Sequence, residues 1–431
     1  MKTARRVVIT GSGAVCGTGL SPETIWEAVR AGRSAIQKTR AWNSNGWAAR
    51  MAAEVTDVDN RTLVEDRKLH KSVLRTDLFG LYAAGMAIQR SGISAYRETL
   101  PAEAVASFND RSGILAGSGG GNYRNNYDFF PLLSETGDDL QRFGRELDGM
   151  VNPMWLLKIL PNNVVCHVGI RHGFKGTNAC ITNQGVGGIM AVAEAAAAIT
   201  AHEADRAVAV GHDTPFEPET LFHYHRLGLM SPDTVRPFDQ DRSGTVFGEG
   251  AAAVMLEVLE DAQARGATIL GEWLGTGCVT EAGGVVEIRP DGDGLSRAIE
   301  IALAAAGLGP ERVGMVVAHG NGTAASDASE VRALRRVFGN DIPPVTAFKW
   351  SVGHLIAGSG VLDLVLALAA LRERIVPGIA TLHSLDLELA PFPASPSSQP
   401  LRHNSALVLC RGFGGMNTAL VVRGPDFSSS P

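Results

Sequence analysis

Five cysteines stand in 431 residues, odd in number, widely scattered and without a CxxC pair. That pattern excludes a disulfide framework and a structural zinc site, and it fits a reduced, cytoplasmic setting. No basic block occurs: 39 basic residues are spread among 45 acidic ones, for a net charge of −6. Nothing in such a chain tracks a phosphate backbone, so nucleic acid is not an expected partner. Uninterrupted apolar runs are short as well. The most apolar segment, VLDLVLALAAL, contains Asp363, whereas a membrane span needs about 20 apolar residues. The start, MKTARR followed by VVITGSGAVCGTG, has the charge-then-apolar order of a signal peptide. Its glycines break the apolar stretch and no cleavage pattern follows, so it reads as a first buried strand.

What is present is a large core. Hydrophobic residues make up 45% of the chain and glycines number 50, which suits tight turns and close helix–sheet packing. Arg5 to Thr10 reads as a strand, and SPETIWEAVRAG as a helix capped by Ser21 and closed by Gly32. The same rhythm returns in GILAGSGGG, RAVAVGHDT, AAAVMLEVLE and GMVVAHGNGT, which predicts an α/β fold with buried sheets. Two Ala-rich helices, one after Cys180 and one after His354, lie at similar depths in the two halves and suggest duplication. The expected organisation is a first half over 1–263, a second over 264–425 and a disordered tail at 426–431. A cap or dimer insertion is expected near 122–162, and a Pro/Ser-rich surface loop near 379–403.

Three residues carry candidate chemistry. Cys180, in GTNACITNQGVGG, is expected at a helix start, where the dipole and unpaired N–H groups favour the nucleophilic thiolate. A free cysteine is otherwise a small buried hydrophobe. His319 and His354 each follow an apolar approach and sit in Gly-flanked turns, the edge at which α/β sheets build their sites. One thiol and two neutral imidazoles suit acyl transfer followed by stabilisation of an enolate.

These segments resemble the condensing enzymes of fatty-acid and polyketide synthesis, of the β-ketoacyl-acyl-carrier-protein synthase II type. The resemblance runs through RRVVITGSGAV, RPFDQDRSGTVFGEGAA at 236–252 and GFGGMNTALV at 412–421, covering nearly the whole chain. It implies a five-layer αβαβα thiolase fold of two related halves, usually a homodimer, without a bound cofactor. Phosphopantetheine would arrive with substrate on an acyl carrier protein, for which Arg67, Lys68 and Lys71 are candidate contacts. By the resemblance Cys180 is the acylated nucleophile, and His319 and His354 drive decarboxylation of a malonyl-type extender. Lys349 matches the family's lysine. Asp363, standing where a glutamate is usual, and Glu330 are structural supports. Backbone N–H groups of Cys180 and Phe413 form the oxyanion hole, and Thr323 contacts the pantetheine arm.

The departures lie at the pocket mouth. Arg411 replaces the first phenylalanine of FGFGG, Asn321 replaces a threonine, Met416 replaces the threonine of GFGGTN, and the opposing loop reads EAGG from Glu281 to Gly284. Cys180 is followed by ITNQ and not by small residues. With Phe413, these positions are expected to line the entrance, and a polar substrate group near Arg411 and Glu281 is expected. Cys278 is a possible lining residue, and Cys410 is read as strand packing. Alternatives are a ketosynthase that cyclises its bound thioester by aldol attack and lactonisation, and a non-catalytic partner subunit of the chain-length-factor kind. The glycine turns GSGAVCG and GSGGG lack the acidic residue of a dinucleotide site.

Overall fold

The structure, a computed structural model, describes residues 5–120 and 129–425. The tail 426–431 and the start of the expected cap lie outside the described residues; the rest of the cap forms short helices Phe130–Thr136, Leu140–Met150 and Trp155–Ile159. Among the described residues ten strands make one continuous sheet. In the first half these are β1 (Val7–Cys16), β2 (Ser112–Ser118), β3 (Asn178–Ile181), β4 (Arg206–Asp213) and β5 (Gly250–Val258). In the second they are β6 (Gly271–Thr280), β7 (Met315–Val317), β8 (Val345–Thr346), β9 (Ser405–Gly412) and β10 (Met416–Arg423). GSGAVC is thus strand β1 and no loop.

The sheet order is β8-β7-β9-β10-β6-β1-β5-β4-β2-β3. Counted within its own half, each set of strands follows the same order, third-second-fourth-fifth-first. Pairing repeats too: β2 is parallel to β3 and β4, as β7 is to β8 and β9, and the remaining neighbours within each half are antiparallel. The halves join where Val7–Ile9 of β1 pairs with Gly271–Trp273 of β6.

Helices supply the other layers. Ser21 caps α1 (Pro22–Arg30) by accepting from the Thr24 N–H, as its sequence predicts. Helix α2 (Arg75–Arg90) covers the outer face of the first half. Helix α4 (Asp293–Ala306) covers the outer face of the second, and α5 (Ala324–Phe338) packs against α4. Between the halves lie α3 (Gly187–Thr200) and α6 (Ser359–Glu373), which touch each other and strands of both halves. A helix flanked by sheets on both sides must be apolar all round, and α6 is buried along nearly its whole length. The result is the five-layer αβαβα architecture.

Each central helix is entered through a 3-10 turn, Gln184–Val186 before α3 and Ile356–Gly358 before α6. Gln184 and Ile356 share a left-handed φ of 45°. The two turns nearly touch: a Cβ on Gly188 would lie 2.1 Å from the Ala357 carbonyl oxygen. Only glycine lets the backbones approach so closely, and this contact brings the two strand ends to one point.

Candidate active site

His319 leaves β7 in a turn held by α5. Glu330 accepts from the N–H of His319 at 2.7 Å and from that of Gly320 at 3.0 Å. Asp327 fixes the same loop from the N–H groups of Phe238 and Gly322, and burial pushes its carboxyl up to about 7. His354 leaves the short helix Lys349–Val352, its own N–H donating to the Val246 carbonyl. The imidazoles meet edge to face, with ring centroids 5.3 Å apart and planes at 78°.

Their hydrogen bonds select the tautomers. The Arg411 N–H donates to Nδ1 of His319 at 3.3 Å, and the Ile356 N–H donates to Nδ1 of His354 at 3.1 Å. An Nδ1 that accepts leaves the proton on Nε2, so each ring keeps an Nε2–H donor for the pocket that both rings line. Burial holds both imidazoles well below the usual histidine range. Lys349 pushes the same way in both, and His354 and Arg411 add to it at His319. The pair is therefore neutral at physiological pH.

Beneath the rings Lys349 reaches Asp363 at 3.3 Å, with side-chain exposures of 1% and 2%. Burial raises the Asp363 carboxyl, against the pull of the Lys349 ammonium. A buried pair is weak evidence of stability, but removing one partner strands a charge. Asp363→Leu is expected to destabilise the protein by about 3–5 kcal/mol, and Lys349→Met with Asp363→Leu to recover most of that loss. Urea denaturation of both variants checks this; equal losses would show that the pair is not coupled.

The structure does not bring Cys180 to this pair. Cys180 lies within β3 and not at a helix start, so the dipole argument for a thiolate does not apply. Its Sγ donates to the Pro161 carbonyl at 3.0 Å, it is absent from the pocket lining, and burial, Asp77 and Cys166 raise its thiol. The residue that follows the strand, opens the turn into α3 and lines the pocket with both histidines is Gln184. Its Nε2 donates to the Gly119 carbonyl at 3.1 Å. No cysteine lines the pocket: Cys410 is buried, with Sγ against the Gly185 carbonyl, and Cys278, expected at the mouth, is exposed on β6. Of the two backbone donors expected at an oxyanion hole, Phe413 is at the pocket, and Gln184 and Gly185 stand where Cys180 was expected. The signal for Gln184 was the ITNQ that follows Cys180 where small residues were expected, since the glycines begin only after it.

The mouth residues divide. Asn321, Thr323, Glu281, Arg411 and Phe413 line the pocket, whereas Gly284 lies outside it and binds Glu287 through its N–H. The Asn321 carboxamide oxygen accepts from both the N–H and the hydroxyl of Thr323. Arg411 is no flap. Its Nη2 meets Glu281 at 2.9 Å and its Nε donates to Asn417, all three side chains being buried. Tyr224, Phe247 and Ser326, which sequence reasoning missed, complete the walls. Tyr224 packs between Phe413 and Phe247, with centroids 5.1 and 4.6 Å away.

A pair of neutral imidazole donors in a duplicated αβαβα fold defines a condensing enzyme of the thiolase-fold class. Residues 4–262 match the β-ketoacyl synthase N-terminal domain and residues 270–383 its C-terminal domain, and the chain belongs to that family. It is 29% identical to the 3-oxoacyl-[acyl-carrier-protein] synthase 2 of Coxiella burnetii, across 97% of this chain and 98% of that protein. A putative polyketide β-ketoacyl synthase 1 from Streptomyces cyaneus is 30% identical across 98% of both. The ishigamide ketosynthase/chain length factor structure superposes with a TM-score of 0.85 at 25% identity, over 98% of this chain and all of that one. The chain is an acyltransferase-type condensing enzyme of fatty-acid or polyketide synthesis. Among the described residues no helix is long and apolar enough to cross a membrane.

Proposed function

We propose that this pocket performs the decarboxylative half of the family's reaction, on a malonyl-type thioester delivered by the phosphopantetheine arm of an acyl carrier protein. The observation that carries the reading is the pair of Nε2–H donors facing a pocket whose nucleophile position is filled by Gln184. A carboxamide does not take up an acyl group, so Gln184 leaves substrate on its carrier. The bond between the α-carbon and the carboxylate breaks, carbon dioxide leaves, and the electron pair passes to the thioester oxygen. His319 and His354 donate to that oxygen as its charge develops. The enolate then takes a proton from solvent water at the α-carbon, which leaves the acetyl thioester. Where a carbon–carbon bond is made instead, the acyl partner has to be carried by a residue other than Cys180.

A second reading rests on the same substitution: the chain is the partner of a ketosynthase that carries the acyl group, as the similarity to a ketosynthase/chain length factor structure suggests. Carbon dioxide release separates the two. With carboxyl-labelled malonyl-carrier, the isolated chain is expected to release label and leave acetyl-carrier by mass spectrometry. Release only after a ketosynthase subunit is added would favour the partner reading and overturn the first.

A further inference from the structure

Beside the two histidines the pocket has a polar corner that the decarboxylation reading does not use. Arg411, 6% exposed, spends three of its five N–H groups on Asn417, the Ser326 carbonyl and Glu281. Two N–H groups remain. Glu281 in turn accepts from Arg411, Asn417 and the Arg289 N–H. The Ser326 hydroxyl, on a residue 1% exposed that lines the pocket, has no hydrogen-bond partner among the described residues.

A buried hydroxyl without a partner is costly to keep, and a buried ion pair costs desolvation. Both features make sense if a substrate atom completes the corner. Because Glu281 cancels the charge of Arg411, the corner does not favour an anion. The substrate's own carboxylate fits better against the apolar lining residues Leu229, Phe247 and Ile356, where poor solvation promotes its loss. What the corner offers is spare N–H donors and a hydroxyl, the complement of a neutral oxygen.

We infer that Ser326 and Arg411 form a subsite for a neutral oxygen on the acyl group, so that the pocket prefers hydroxylated over plain acyl thioesters. The inference rests on the pocket being a thioester site. Backbone hydrogen bonds from the N–H of Glu281 to the Gly415 carbonyl, at 2.9 Å, and from the N–H of Gly414 to the Val285 carbonyl tie the segment that carries Glu281 to the turn after Arg411.

The test uses two unreactive pantetheine ligands in which nitrogen replaces the thioester sulfur, one acetylated and one hydroxyacetylated. Their dissociation constants are measured by calorimetry on the full chain. The hydroxyacetyl ligand is expected to bind about five- to tenfold more tightly, and Ser326→Ala to bring that ratio close to one. The thermal midpoint of Ser326→Ala without ligand is expected not to fall, because the variant removes an unpaired hydroxyl; a purely structural serine would lower it. Equal binding of both ligands by the unmodified chain overturns the subsite and leaves the thioester reading standing. An unchanged preference in Ser326→Ala, or equal weakening of both ligands that points to an oxygen of the pantetheine arm, also overturns it. If neither ligand binds, the thioester reading itself falls.

Discussion

Gln184→Cys is expected to gain the mass of an acyl group after incubation with acyl thioesters, approaching one per chain, whereas the unmodified protein and Cys180→Ala gain none. Position 184 comes three residues after the end of β3, opens the 3-10 turn into α3 and lines the pocket with His319 and His354. A thiol there meets the unpaired N–H groups of a helix entrance, which favour thiolate, and has two imidazoles within the same pocket. Cys180 has neither advantage. Its Sγ is tied to the Pro161 carbonyl and its thiol is raised by burial, so it is a poor nucleophile even where a thioester can reach it. Intact-protein mass spectrometry decides the matter. Acylation of the unmodified chain that disappears in Cys180→Ala would show that Cys180 moves into the pocket and would sink the assignment of Gln184. The left-handed φ at position 184 is borne by a residue with a side chain already, so cysteine adds little strain there.

The second large effect belongs to the histidines. His319→Ala and His354→Ala are each expected to lower carbon dioxide release by about 100- to 10,000-fold, the range found when a positioned donor is removed. Cys180→Ala is expected to stay within about twofold, because its sulfur lies outside the pocket lining. The pH profile provides an independent check. Burial, aided by the charge of Lys349, holds both imidazoles well below the ordinary value of 6.5. Since the neutral ring with Nε2–H is the working form, activity falls only as acid protonates the rings, and the acid limb of kcat/KM lies below pH 6.5. A limb at or above 6.5 would show that the rings are not desolvated as the structure has them. Asn in place of either histidine retains an N–H donor and is expected to keep more activity than alanine, which separates donation from proton transfer.

Much of this was legible in the sequence. Ser21 before an apolar-periodic segment announced α1, and the apolar runs around Val7, Ile114, Val208, Val254 and Val316 became β1, β2, β4, β5 and β7, because a strand buried on both faces has to be continuously apolar. The duplication sensed from two Ala-rich helices appears as one strand order used twice. His319 was recognisable as a strand-end residue, past β7 and before Gly320, whereas His354, expected at a strand end, follows the short helix Lys349–Val352 and its closing Gly353.

The nucleophile position was not legible, and the reason is geometric. Between Cys180 and Gly187 the chain passes from strand to turn to helix, and no periodicity marks which residue stands at the corner. A shift of four positions moves a side chain from the strand, packed near Pro161, to the pocket. That choice is made by contacts between distant segments: Gly188 against the Ala357 carbonyl, and Gly185 beside the backbone of Arg411 and Gly412. Arg411 and Glu281 were visible as departures at the mouth, but only the tertiary structure joined them into a buried pair with Asn417. By itself the sequence determined the layers, the family and the two imidazoles, because burial patterns and strand ends are local properties of the chain. Which residue faces those imidazoles was decided only when the two halves closed on each other, since contact across a duplicated core depends on every glycine that allows the halves to meet.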